Sequence, residues 1–408
     1  ASTGNKDQAQ GGRKSSNNQR PEHLSCKGSP PLSVLPTQSS EPQPTIFVSI
    51  AAYRDSETGP TLRSLAAMAT RSYRVFVGVV LQFDSDHDQA IINNLPIEDP
   101  WYQSNGRCMN LEARHALGPC YARALCQSLY RGEDYVLQID SHMRFRKNWD
   151  TYLIQELEEL IIKENGNGNG NSEKVMLTTY PVGYQLPNQI PNETRGTLLV
   201  PWKFDDNGLL RQRGRLLQAH PSKPVPCHLY AAAFNFSRSD VLEDCPYDQS
   251  LHHLFFGEEL SMAVRLYTHG YHLYAPKETV CYHLWSRSHR PMQSDDKVKA
   301  NGGSNKEWHE RRKRMSLEKV KQQLMGSDCD RSLGLGTARS HQDFASALGV
   351  DFGKGVIVDP DASLGRLRAD DFAVATDVKY APESLEGNVQ RLDQKAKDLV
   401  ASFLQQMQ

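Results

Sequence analysis

From Thr45 onward the chain alternates short apolar runs with segments whose apolar residues recur at helical spacing. That alternation admits few architectures. Thr45-Ile46-Phe47-Val48-Ser49-Ile50-Ala51 reads as a strand. A helix starting near Asp55 or Ser56 follows, carrying Leu62, Leu65, Ala66 and Met68. Tyr73 to Leu81 reads as a second strand, and a polar loop is expected from about Phe83 to His115. Pro119 suits the first turn of a helix that buries Tyr121, Ala124, Leu125 and Leu129. Tyr135-Val136-Leu137-Gln138-Ile139 is then a core strand. Strands and helices in this order argue for an α/β sheet, mostly parallel in its first half.

Further along, Asn148 can cap a helix bearing Trp149, Leu153, Leu157, Leu160 and Ile161, and Asn165 to Asn171 is a Gly/Asn-rich loop. Strands are expected over 175–179, 228–236, 271–274 and 279–282, with loop from 180 to 226. Glu258 to His269 reads as a helix ended by Gly270. After about residue 300 the pattern changes. Asn301 to Arg314 is polar and charged, and Ser316 to Met325 is a short helix. Val389, Leu392, Ala396, Leu399 and Phe403 form an apolar stripe that needs a partner. That partner is its own domain or, on the sharper reading, a second copy in a homodimer. The expected division is a disordered Gln/Ser/Asn/Gly/Pro-rich tail over 1–44, an α/β domain over 45–327 and a C-terminal extension over 328–408.

The 408 residues suffice for one large domain with additions, or for two. Lys and Arg number 47 against 48 Asp and Glu, leaving a formal net charge of -1 and no sign of bulk attraction to nucleic acid or membrane. The eight cysteines are scattered without a C-x-x-C, which reads as reduced, core-filling cysteine. Two N-glycosylation sequons, at Asn192 and Asn235, would matter only in a secretory compartment. No long apolar run or leader-like segment is seen. These features together point to the cytoplasm.

The residues that could carry chemistry cluster after strands. Asp140-Ser141-His142 follows the core strand, and residues i and i+2 of an extended segment share a side. Asp140 and His142 can therefore offer an oxygen and a nitrogen to one divalent ion, with positions left for a phosphorylated ligand. The plainer reading is a cap and a surface histidine. Tyr53-Arg54-Asp55 ends the first strand, where a base and ribose want a stacking surface and a carboxylate; Asp55 is equally an N-cap. Arg114, Gly118 and Arg123 precede the Asp140 strand, and an Arg there suits a diphosphate or is simply solvated. Ala232 and Ala233, read on a strand, allow close approach of a ligand or tight packing. Glu258 and Glu259 open a helix and complement its dipole, or bind sugar hydroxyls. His283 is a candidate third metal ligand with His289 as its competitor, and Arg287 a candidate phosphate group.

The order of these parts resembles a GT-A glycosyltransferase, a Rossmann-like fold. The D-x-H with a distant His is similar to the metal site of polypeptide N-acetylgalactosaminyltransferases. On that pattern Asp140, His142 and His283 would be metal ligands and Glu258 the acidic sugar-binding residue. Thr45 to about Asp351 resembles more closely the cytoplasmic polypeptide-hydroxyproline N-acetylglucosaminyltransferases of protists and oomycetes. The segments Val48 to Asp55, Gln138 to Phe145, Phe256 to Ser261 and Ser332 to Thr337 carry this resemblance. It implies UDP-GlcNAc as donor and manganese or magnesium as metal. It implies hydroxyproline of a cullin-type ubiquitin ligase adaptor as acceptor, with retention at the anomeric carbon. On it, Tyr53, Arg54 and Asp55 would hold uridine, Arg123 and Arg287 the diphosphate, and Ala232, Ala233 and Glu258 the sugar. A different donor or acceptor, such as UDP-GalNAc onto Ser or Thr, and a non-catalytic binding module are the competing readings.

Overall fold

The computed structural model describes residues 29–34, 43–166, 174–292, 304–327, 330 and 332–365. In chain order, β1 (Ile46–Tyr53), α1 (Thr58–Met68) and β2 (Val75–Phe83) come first. Then come α2 (Gln89–Asn93), α3 (Pro100–Asn105), β3 (Gly106–Glu112), α4 (Pro119–Gln127), β4 (Tyr135–Asp140) and β5 (Met143–Phe145). α5 (Trp149–Gly166), β6 (Val175–Thr178), β7 (Thr197–Phe204), β8 (Leu210–Leu216) and β9 (Val225–Cys227) follow. β10 (Phe234–Arg238), α6 (Val241–Asp244), α7 (Glu258–Thr268), β11 (His272–Ala275) and β12 (Cys281–His283) come next. The last elements are α8 (Ser304–Leu324), α9 (His341–Leu348), β13 (Val350–Asp351) and β14 (Val356–Ile357).

Eight strands form one sheet in the order β3-β2-β1-β4-β10-β6-β11-β9, with β10 and β9 antiparallel to the rest. The expected α/β architecture with a mixed, mostly parallel sheet is therefore what the chain adopts. From β1 the chain builds outward to β2 and β3, then returns to place β4 on the other side of β1. That reversal is a topological switch point, where the carboxyl ends of neighbouring strands open a crevice. Ala51 of β1 pairs with Asp140 of β4 at this edge.

Apolar residues cover both faces. On one side Val48, Ile50 and Leu137 pack against Leu62 and Leu65 of α1 and Trp149, Leu153 and Leu157 of α5. On the other, Phe47 and Val136 join a core that includes Leu260 and Val264 of α7, Val320 and Leu324 of α8, and Phe344 and Leu348 of α9. Gly78 on β2 lets this packing close: a Cβ there would stand 2.6 Å from the Phe47 ring.

Several expectations change. The polar loop from Phe83 to His115 contains the edge strand β3, paired with β2 from Val77 to Phe83. The 180–226 region holds the β7–β8 hairpin and β9. The strand expected over 228–236 begins only at Phe234, so Ala231–Ala233 lie in a turn. The short helix of 316–325 is the second half of the longer α8, which takes in the charged stretch before it. Residues 29–34, within the expected disordered tail, are packed: Leu32 is 1% exposed and its amide donates to Lys147 O at 3.1 Å. The boundary expected at 327/328 cuts through one core, because Phe344, Leu348 and Val350 pack with α7. The apolar stripe at 389–403, and with it the homodimer reading, lies outside the described residues. No helix of the described residues is long and apolar enough to cross a membrane.

Candidate active site

β4 ends at Asp140, and the chain bends through Ser141 and His142 into β5. Convergence of the D-x-H therefore comes from this bend, not from the strand alternation expected of an extended triplet. β5 pairs antiparallel with β12, setting His283 opposite Met143. Leu284 N donates to His142 O at 3.1 Å, and His283 N to Val182 O at 3.0 Å. Backbone pairing on both sides thus delivers His283 to the D-x-H across 141 residues of sequence.

Three donor atoms meet there. His283 Nε2 lies 3.1 Å from Asp140 Oδ2 and 3.1 Å from His142 Nε2. His142 Nε2 is 3.9 Å from Asp140 Oδ2. Two imidazole nitrogens facing each other satisfy at most one N–H between them, whereas a shared cation satisfies both. One carboxylate oxygen with two imidazole nitrogens suits a divalent transition ion. His283 is buried, and burial together with the neighbouring His142 lowers its pKa to about 4. It is therefore neutral near pH 7, as a ligand must be. Burial alone would raise the Asp140 carboxyl, but the His283 hydrogen bond and the Arg123 charge overcome it and hold the group ionised. The residues fit a divalent metal.

Asp55 is not a ribose carboxylate here. It is fully buried and both oxygens are engaged. Oδ2 accepts from Ser141 Oγ at 2.7 Å and lies 2.7 Å from His142 Nδ1. Oδ1 accepts from Glu57 N at 2.9 Å and lies 3.1 Å from His289 Nε2. Burial pushes its pKa up, but His142 beside it prevails and holds the carboxyl well below the usual range. With a proton on Nδ1 shared with Asp55, His142 presents bare Nε2 to the site. His289, the competing ligand, has its Nε2 on Asp55 and is not among the donor atoms that meet at Asp140. Asp55, His142 and His289 do form a second cluster of liganding atoms. Two N–H donors on one carboxylate explain it without an ion.

Arg54, expected at uridine, pairs instead with Asp88 through Nε at 2.7 Å and Nη2 at 3.0 Å. Tyr53 ends β1, half-buried, opposite Gln82. Arg123 is buried between two carboxylates: Nη2 donates to Asp140 Oδ1 at 2.7 Å and Nη1 to Glu258. Neither Arg123 nor Glu258 is thus open to a ligand as the sequence suggested. They brace Asp140 instead, and removing one member of such a buried set costs about 3–5 kcal/mol. Ala233 O accepts from Asp140 N at 3.4 Å, placing the small-residue turn at the site's edge. Arg287 is half-buried and close enough to Asp140 to feel its charge, while burial lowers its own pKa to about 10. Gly118 (φ 112°) packs on the His253 backbone, and Arg114 is exposed after β3.

Sequence reasoning gave no role to Trp285, Gln212 or Tyr180, and left Glu259 between a helix-dipole role and sugar binding. Trp285 packs against His283 with ring centres 3.9 Å apart and ring planes tilted by 40°. Glu259 accepts from Ala232 N at 2.9 Å, from Gln212 Nε2 at 3.1 Å and from the Tyr180 hydroxyl. Burial raises the Glu259 carboxyl to about 7. Trp285, two residues after His283, was readable as a pocket wall; the Glu259 set is joined only by the fold.

No curated protein matches the sequence. Among solved structures, "GalNAc-T7 with UDP, GalNAc and Mn2+" is 14% identical with a TM-score of 0.47, covering 79% of this chain. The chain spans 58% of that protein's length. "S. aureus TarS 1-349 in complex with UDP-GlcNAc" is 13% identical with a TM-score of 0.39, covering 70% of this chain and 68% of that one. The family model described as "Glycosyltransferase (GlcNAc)" matches residues 45–98 and 97–354, a span that takes in the switch point, Asp140, His142, His283 and α9. The chain belongs to this GlcNAc glycosyltransferase family.

Proposed function

We propose that the chain transfers N-acetylglucosamine from UDP-GlcNAc to hydroxyproline of a cytoplasmic polypeptide, the adaptor subunit of a cullin-type ubiquitin ligase, with retention. The convergence of Asp140 Oδ2, His142 Nε2 and His283 Nε2 at the switch point carries the donor side. The acceptor and the α-linkage rest on the sequence resemblance of residues 48–55, 138–145, 256–261 and 332–337. Asp140, His142 and His283 would hold a divalent ion, manganese suiting two imidazoles better than magnesium. The chemistry such an ion supplies is charge neutralisation on the departing diphosphate.

The chain's own residues do the rest. Arg287, beside Asp140, adds N–H donors for the phosphates. Arg123, held by Glu258, fixes Asp140 Oδ1 and leaves Oδ2 facing the histidines. Glu259 holds the Ala232 amide, so the turn beside Asp140 keeps the sugar side of the crevice open. Trp285 shields the His283 side from water. In the transfer, the bond from the anomeric carbon to the UDP oxygen breaks and a bond to the hydroxyproline oxygen forms. The hydroxyl proton leaves on a phosphate oxygen of UDP, so no separate protein base is needed.

A screen of UDP-sugars with manganese, reading UDP release with and without hydroxyproline peptides, tests this. UDP-GlcNAc should lead, and chelation should abolish release. A higher rate with another UDP-sugar, or transfer to Ser or Thr peptides alone, would overturn the substrate assignment.

A further inference from the structure

Two large aromatic side chains stand in solvent near the site: Phe255 is 48% exposed and Trp308 40%. Each carries a stacked guanidinium. Arg287 lies 4.7 Å over Phe255, and Arg312 lies 3.9 Å over Trp308. His253 joins the two, with its ring 6.0 Å from Trp308 and two residues before Phe255. The Phe255 end of the strip adjoins the active site, because Arg287 over that ring follows His283 closely in the chain. It is built in advance of any ligand. His253 N donates to Leu117 O at 2.6 Å, and Ser316 Oγ of α8 to His252 O at 2.9 Å.

We propose that this strip docks an acidic stretch of the polypeptide acceptor that also carries apolar side chains. The inference rests on reading the adjoining site as a centre that modifies polypeptides. Arg312 Nη1 donates to His252 Nδ1 at 2.8 Å, which fixes the guanidinium over Trp308, and the other N–H groups of this five-donor side chain are the ones offered to carboxylates. Exposed aromatics with arginine are the usual anchors of protein interfaces. The next residues of α8, Arg311, Lys313 and Arg314, are exposed and extend the positive field. Met315, 63% exposed, offers apolar surface beside them. A nucleic acid fits less well. Exposed Glu307 and Glu310 flank Trp308 just before the cationic run and would repel a continuous phosphate backbone, whereas spaced carboxylates of a peptide can avoid them.

The test uses the full chain with manganese and UDP, and fluorescein-labelled poly(Glu,Tyr) read by anisotropy. The wild type should bind the copolymer, and Trp308→Ala or Arg312→Glu should weaken binding by about tenfold or more. UDP-GlcNAc hydrolysis without acceptor should be unchanged in both. Lys313→Glu, an exposed position, replaces Arg312→Glu if that variant melts at a lower temperature than wild type. Equal binding by wild type and variants overturns the proposal. So does poly(U) or a phosphatidylserine vesicle displacing the copolymer at lower concentration than unlabelled poly(Glu,Tyr). Absence of hydrolysis in the wild type would break the catalytic reading by itself and leave the docking result to be judged alone.

Discussion

Asp55 and Asp140 stand at the carboxyl ends of neighbouring parallel strands, and each lies within reach of His142. Their environments differ. Every lone pair that Asp55 can offer is met by a hydroxyl, an amide or an imidazole. Asp140 gives one oxygen to Arg123 and turns the other toward two histidines. Saturation by hydrogen bonds, not residue type, separates a carboxylate with an oxygen left to offer from one that only orients its neighbours.

Removing Asp140 should break the comparison most visibly. Asp140→Ala forfeits a ligand and leaves Arg123 half-paired, and UDP release should fall about a thousandfold, a several-kcal/mol effect. A loss within tenfold would mean Asp140 is not at the metal.

The second effect is on stability in metal-free buffer. The folded His283 pKa of about 4 lies below the unfolded value of about 6.5. Between those values only the unfolded chain binds this proton, so stability falls as pH drops from 6.5 toward 4. The full swing is about 3 kcal/mol. Urea melts of the wild type should show this slope and His283→Gln should lack it; parallel curves would show His283 to be solvated.

Asp55→Asn keeps the shape but removes the acceptor for His142 Nδ1. Manganese affinity by calorimetry should fall about 10- to 100-fold, with turnover largely restored at saturating metal. Turnover lost without any change in metal affinity would return Asp55 to a direct ligand-binding role. His289→Ala should give the smallest effect, with metal affinity within about threefold of wild type, since one hydrogen bond to Asp55 is lost and Asp140 is untouched. A loss as large as that of His283→Ala would make His289 the third ligand.

Much of the parallel half was legible. β1, β2 and β4 are dense in apolar residues, and Asp140 and His142 follow β4 directly. β3 was not, because Arg107, Asn110 and Glu112 on an edge strand break the apolar pattern. The β7–β8 hairpin carried a readable turn, Asp205-Asp206-Asn207-Gly208, whose Gly208 has φ 75°. Pro201 in β7 obscured the strand before it. His283 was a candidate from its strand and from resemblance. The choice over His289 needed the β5–β12 pairing. Arg123 and Asp55 were found but given ligand-facing roles, because which partner saturates a buried charge is decided by residues distant in sequence. Asp88 and Glu258 are those partners for Arg54 and Arg123.

The short segment over residues 29–34 has a consequence for how far the fold can be trimmed. Ser29 Oγ and the Tyr282 hydroxyl are 2.6 Å apart, Arg146 Nε donates to Pro30 O at 3.0 Å, and Asn148 Nδ2 to Leu32 O at 3.0 Å. Tyr282 lies within the very ladder that presents His283, and Arg146 follows its other strand directly. The segment is a clasp on that ladder, lying upstream of the residue where the family match starts. A chain trimmed to the family boundary would keep Asp140, His142 and His283 and lose the clasp on the ladder that sets His283, so the three would be held less firmly although none of them had been removed.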